Sequence, residues 1–321
     1  MNIAIVATGF GGPEVLAAVE VGVPAPGPGE VTVEVRAAGV NPVDYKLFSG
    51  AFRAADPKAL PLPVGREFAG VVTAVGPGAT GPGGPLALGD EVVVYPATGG
   101  YAEAVTVAAG TVVPKPPGLP WAEAAGLLLA GATAVHAIAA VGGLREGDSV
   151  LVHGASGSVG QLVVQLAVRA GATVVGTAAE RNHALVRGLG AIPVVYGPGL
   201  EDRVRTALPG PVTAAVDTVG TDEAIDVSLA VLSDPDRLVT IASRREGVRR
   251  IGGGPGSDPG TEIRANAWRT LLPAAAAGEL RLALARTYPL GEAADALRFV
   301  QEGHAAGKVV LLPSTSPVHT I

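Results

Sequence analysis

No cysteine occurs in the 321 residues. That excludes disulfides, thiol catalysis and any metal held by thiolates, and it leaves the redox compartment open. Positive charge is also scarce: 23 Lys and Arg stand against 29 Asp and Glu, a net charge of -6. Nucleic acid and acidic membrane surfaces both need clustered positive charge, so neither is expected as a partner. The one basic cluster, Arg244, Arg245, Arg249 and Arg250, is too short to reverse this. Residues 1–10 have no basic stretch ahead of a long apolar core, so no secretory signal is expected and the cytoplasm is the default compartment. No internal repeat of fixed period is present. Only residues 124–141 form a long apolar run, with Thr133 and His136 as its clearly polar positions. The run is long enough for a membrane span, but it is mostly alanine and glycine, which insert weakly. A buried helix between domains is expected instead.

What is present is ample apolar material. A 48% hydrophobic composition over 321 residues supports about two domains, each with its own core. The 46 glycines and 27 prolines punctuate apolar runs instead of replacing them, which argues against disorder. The first third reads as short strands at 2–7, 31–40, 68–75 and 91–95, separated by turn-rich 24–29 and 76–84. The middle changes character. Strands at 149–153, 172–177, 192–196, 212–217 and 237–242 recur with room for a helix between them. Val159, Leu162, Val163, Leu166, Ala167 and Ala170 give the first such helix its one-faced pattern. Strands alternating with helices imply an α/β, doubly wound parallel sheet. After 255–260, helices at 263–277 and 291–303 and a strand at 308–312 make a tail too short for a domain of its own. It is expected to return to the N-terminal domain or to extend a sheet edge.

The first strand of the middle region runs straight into Gly154-Ala155-Ser156-Gly157-Ser158-Val159-Gly160 and then into that helix. A glycine loop between strand and helix brings backbone amides and a helix N-terminus up to a pyrophosphate, so dinucleotide binding is expected. Ala155 stands where the usual fingerprint has its first glycine. The second strand ends in small neutral residues through Ala178 and Ala179, followed by Glu180 and Arg181. Glu180 could accept from a ribose hydroxyl, and Arg181 could clamp a 2′-phosphate. Because Glu180 falls past the strand end, Arg181 and hence NADPH are favoured.

The loop 154–160, the strand 192–196 and Asp217-Thr218-Val219-Gly220 resemble the medium-chain dehydrogenase/reductases. So do Gly39-Val40-Asn41-Pro42-Val43-Asp44-Tyr45-Lys46, Gly65-Arg66-Glu67-Phe68-Ala69-Gly70-Val71-Val72, Gly89-Asp90-Glu91-Val92 and Gly307-Lys308-Val309-Val310. These motifs lie in family order across nearly the whole chain. The resemblance implies a GroES-like β-rich catalytic domain, residues 1–121 and 261–321, around a Rossmann dinucleotide-binding domain, residues 122–260. Zinc members of that family place a cysteine at Asn41, a histidine at Arg66 and a cysteine near Leu129. All three are missing, so no metal site is expected. The chain is therefore similar to the zinc-free quinone oxidoreductases and enone reductases. That likeness implies hydride transfer from NADPH to a small quinone or to the C=C of an α,β-unsaturated carbonyl.

Asn41, Tyr45 and Lys46 are the catalytic candidates by the same likeness, on the loop that borders the nicotinamide in relatives. Many quinone oxidoreductases carry tyrosines at the positions of Lys46 and Phe52. The cofactor is expected at Thr133, Ala155, Ser156, Gly157, Ser158, Val159, Gly160, Ala178, Arg181, Tyr196, Val219 and Lys308. His136, His153 and Asp44 are read as structural. Relatives often dimerise, and residues 246–253 with Val248 and Ile251 offer a sheet edge for a homodimer. Two other functions fit the same motifs: an enoyl-thioester reductase, and a non-catalytic NADPH sensor.

Overall fold

The computed structural model describes residues 2–50, 56–208, 210–252, 260–303 and 305–313. Phe52 and most of 255–260 fall outside the described residues. The chain forms two compact units: Met1–Leu129 with Leu272–Glu279 and Ala283–Ile321, and Ala130–Leu271 with Leu280–Leu282. The divisions fall at 129/130 and 271/272, whereas the motifs suggested 121/122 and 260/261. The first of these lies inside the helix Trp121–Ala140, which a sequence pattern cannot subdivide. By length and composition that helix passes the test for a membrane span, but Ala124, Ala125, Leu127, Leu128, Ala130, Ala132, Ala134 and Ala137 are all buried in protein. It is a core helix.

The first unit is built on the long strand Glu30–Val40. Its alternating valines, Val31, Val33 and Val35, are completely buried, as expected of one face of a pleated strand turned to the core. The sheet order is Val112–Pro114, Glu91–Val94, Phe68–Val75, Glu30–Val40, Lys308–Leu312, Leu284–Pro289, with Ala104–Ala108 also paired to Glu30–Val40. The tail strand Lys308–Leu312 therefore joins the N-terminal sheet beside Glu30–Val40, with the other tail strand, Leu284–Pro289, at the edge. It runs antiparallel to Glu30–Val40 with Val309 opposite Val40 and Val310 opposite Gly39. A separate sheet orders Leu16–Val21, Asn2–Ala7 and Leu62–Pro63. Leu16–Val21 and Leu284–Pro289 carry no clean alternation of buried and exposed positions, which is why periodicity does not reveal them.

The second unit holds a six-stranded parallel sheet ordered Ile192–Val194, Thr173–Thr177, Ser149–His153, Ala214–Asp217, Leu238–Thr240, Arg249–Arg250. Numbered along the chain this is 3-2-1-4-5-6, the order that places a ligand crevice at the carboxyl ends around strand one. The helix Ser158–Arg169 buries Gly160, Leu162, Val163, Val164 and Ala167 against it. One expected helix is divided in two, Gly260–Asn266 and Trp268–Ala276, with buried Ala267 between them. Arg249–Arg250 is the edge strand, within the stretch expected to supply a pairing surface. However, Ile251 is buried and Val248 packs on the unit's own core, so the two apolar side chains turn inward and the exposed edge is arginine.

Candidate active site

In the parallel-sheet unit, strand Ser149–His153 ends at Gly154 and the helix begins at Ser158. Gly154 has φ +75°, and a Cβ there would stand 2.5 Å from Thr218 Oγ1. A Cβ at Gly160 would stand 2.2 Å from the Gly154 carbonyl oxygen. Loop and helix can close on each other only with glycine at both positions. Ala155, the departure from the usual fingerprint, is buried, and its N–H donates to Thr177 O at 2.9 Å. Room for its methyl comes from Gly176 on the next strand, where a Cβ would lie 2.6 Å from the Ala155 Cβ.

Ser158, Val159 and Gly160 form the first turn of the helix Ser158–Arg169. Gly157 donates its N–H to Gly154 O at 3.0 Å and tightens the turn, and Ser156 Oγ accepts from Asn182 Nδ2 at 3.2 Å. Aligned amides at a helix N-terminus make an anion cradle, so the residues present fit a dinucleotide pyrophosphate. Ala178 is buried and donates its N–H to Val194 O. Arg181 lies on the exposed turn Glu180–Asn182 and makes no hydrogen bond or ion pair among the described residues. Tyr196 and Val219, both just past the carboxyl ends of strands, are 54% and 48% exposed. Thr133 is half-buried in helix Trp121–Ala140.

In the first unit, Asn41 caps the helix Pro42–Phe48, with Pro42 at its first position. Asp44 Oδ2 accepts the Asn41 N–H at 2.8 Å and the Tyr101 hydroxyl at 2.8 Å, while its Oδ1 has no partner among the described residues. Burial is the dominant cause that pushes the Asp44 carboxyl up to about 7, against those two bonds and the Lys308 charge. The same burial, with Asp44 alongside, holds the Tyr101 phenol well above its usual value, so Tyr101 remains the donor. Tyr45 and Lys46 are half-buried on this helix, and partial burial raises the Tyr45 phenol.

Next to Asp44 lies a buried ion pair that sequence reasoning missed. Lys308 Nζ is 2.6 Å from Glu67 Oε1 and donates to Asn41 Oδ1 at 2.6 Å. Asn41 Nδ2 donates to Glu67 Oε1 at 3.0 Å and to Gly39 O at 3.3 Å, and the Leu129 N–H donates to Glu67 Oε2 at 2.8 Å. Gly39 is obligatory here, because a Cβ would fall 2.6 Å from Glu67 Oε1. Asn41 is 3% exposed and Lys308 1%. Both amide hydrogens of Asn41 and its carbonyl oxygen are engaged, leaving none for an acceptor molecule. Asn41, the expected catalytic residue, thus also caps the helix, and Lys308, expected at the cofactor, pairs with Glu67. Arg66 donates to Thr98 Oγ1 at 3.0 Å, and Leu129 contributes only its backbone. No group of three or more His, Asp or Glu converges among the described residues.

Two family models match the chain: an alcohol dehydrogenase GroES-like domain over residues 27–117 and a zinc-binding dehydrogenase over residues 189–311. A mycobacterial quinone oxidoreductase is 31% identical over 98% of this chain and 100% of its own, with a TM-score of 0.80. The Escherichia coli quinone oxidoreductase, solved in complex with NADPH, is 26% identical over 97% of this chain and 100% of its own, with a TM-score of 0.83. A Mycobacterium tuberculosis phthioceranic/hydroxyphthioceranic acid synthase is 34% identical over 310 residues, which are 90% of this chain and 14% of that much longer protein. The chain belongs to the medium-chain dehydrogenase/reductase superfamily. Within it the chain is of the zinc-free, quinone oxidoreductase-like kind.

Proposed function

We propose that the protein reduces a small quinone, or the C=C of an α,β-unsaturated carbonyl compound, with NADPH and without a metal. The observation that carries this is the 3-2-1-4-5-6 sheet, its glycine cradle and the exposed Arg181 turn in one unit. Bound NADPH supplies the hydride. The cradle amides of 158–160 bind its pyrophosphate, Arg181 its 2′-phosphate, and Tyr196 and Val219 cover apolar parts of it. Conjugated acceptors are electrophilic without a Lewis acid, so the protein has only to orient them and to support negative charge growing on the acceptor oxygen. Tyr45 O–H and Lys46 N–H are the donors for that oxygen, on a helix held by Asn41, Asp44 and Tyr101. The assembly proposed is a homodimer.

Cofactor oxidation with a panel of quinones and enones tests the reading. Turnover should fall about 10- to 1,000-fold in Tyr45→Phe or Lys46→Ala on a good acceptor, with NADPH affinity little changed. If neither substitution lowers turnover, the helix has no chemical role. If no acceptor consumes NADPH although it binds, the protein is a sensor. A second reading, an enoyl-thioester reductase, is favoured by the likeness to the acid synthase above. Turnover confined to thioester-linked enoyl substrates would establish it.

A further inference from the structure

The buried histidine at the end of the first Rossmann strand has an unusually well-determined hydrogen-bond order. His153 is 1% exposed. Its Nε2 lies 3.1 Å from Ser228 Oγ, and its Nδ1 lies 3.4 Å from Thr177 Oγ1. Ser228 has a single hydroxyl hydrogen and gives it to the Ala224 carbonyl at 2.7 Å, so it can only accept from the histidine. Nε2 therefore carries the imidazole proton. A neutral ring then has a bare Nδ1, which accepts the Thr177 hydroxyl hydrogen. Thr177 Oγ1 is left to accept the Gly154 N–H, at 3.1 Å. Every donor in the chain from Gly154 through Thr177, His153 and Ser228 to Ala224 has one acceptor. Burial holds the imidazole down at about 4, opposed by neighbouring Asp217, so the ring is neutral at ordinary pH. Asp217 does not compete for it, because its carboxylate accepts from Val219 N, Gly220 N and Thr240 Oγ1.

Thr177 grips the glycine loop twice, through its hydroxyl at Gly154 N and through its carbonyl at Ala155 N. The hydroxyl accepts the Gly154 N–H on one lone pair while its hydrogen is held by His153 Nδ1. We infer that His153, acting through the Thr177 hydroxyl, is a positioning residue for the dinucleotide: it sets the first two residues of the glycine loop and so aims the amides that follow. This rests on the cofactor reading above. His153 itself touches neither reactant.

The test is direct titration of NADPH and NADH against wild type, Thr177→Val, Thr177→Ser and His153→Gln, with acceptor KM and thermal unfolding measured beside it. Valine keeps the shape of threonine in a strand but leaves both Gly154 N–H and His153 Nδ1 unpaired. Cofactor affinity should fall about 10-fold or more in Thr177→Val. It should return to within about twofold of wild type in Thr177→Ser, with acceptor KM unmoved in both. Nitrogen-15 NMR should show His153 with its proton on Nε2 and no titration between about pH 6 and 8. Unchanged cofactor affinity in a folded Thr177→Val, or a proton on Nδ1, overturns the inference. Failure of wild type on NADPH alone, with NADH bound, counts only against the 2′-phosphate reading, and the same variants are then compared with NADH. Wild type that binds neither overturns both.

Discussion

Arg181 stands on an exposed turn one residue past Glu180, and the choice of cofactor rests on which of the two meets the ribose. A charge-assisted hydrogen bond contributes about 1.5 to 3 kcal/mol, which is roughly 10- to 150-fold in affinity. Arg181→Ala should weaken NADPH by that factor and leave NADH nearly unmoved. A wild-type preference for NADH, lost in Glu180→Ala, would reverse the assignment. Asp44 makes a different prediction. Its carboxyl is raised from 3.8 to about 7 in the folded protein, so the folded state holds the proton more tightly than the unfolded chain. The stability this contributes is fully present below 3.8 and is lost as the pH rises through about 7. Asp44→Asn cannot ionise. Denaturation curves should show wild type losing stability relative to Asp44→Asn across that window, and parallel pH dependence of the two would refute it. At this scale Arg181, Glu180 and the glycines were legible because their neighbours in the chain define their setting. The partners of Asn41 were not, because Glu67 and Lys308 are brought to it only by the sheet.

The strand Lys308–Leu312 sits between Glu30–Val40 and Leu284–Pro289, and that placement delivers Lys308 to Glu67. Neither charge is solvated, since the two side chains are 1% and 0% exposed. Removing one partner of such a pair strands the other in the core and costs about 3 to 5 kcal/mol. Lys308→Met should destabilise the protein by that amount in denaturant unfolding, and adding Glu67→Gln should recover most of it. A loss under about 1 kcal/mol would show that water reaches Glu67. Elements with strong periodicity, such as Glu30–Val40 and Ser158–Arg169, could be read in advance from one buried face. Leu16–Val21 and Leu284–Pro289 could not, since they are held by hydrogen bonds to neighbours and not by a stripe of their own.

Over the whole molecule, the positions of the family's zinc ligands are occupied by groups that already have partners. Asn41 is engaged with Lys308 and Glu67, Arg66 is cationic, and Leu129 offers no side-chain ligand atom. Activity should survive exhaustive chelation, and loss restored by zinc would overturn metal independence. The sequence alone determined the class of fold, because strand and helix periods, the glycine loop and turn residues are local and repeat in a set order. It also determined the absence of thiol and thiolate-metal chemistry, which follows from composition. Only the tertiary structure decided that Lys308 is paired with Glu67 in the interior, that Asn41 caps a helix while bonding to both, and that His153 lies between Thr177 and Ser228. Those roles depend on which residues distant in the chain share a dry interior. There an unpaired polar group is too costly to leave, so the partner that the fold supplies sets the role.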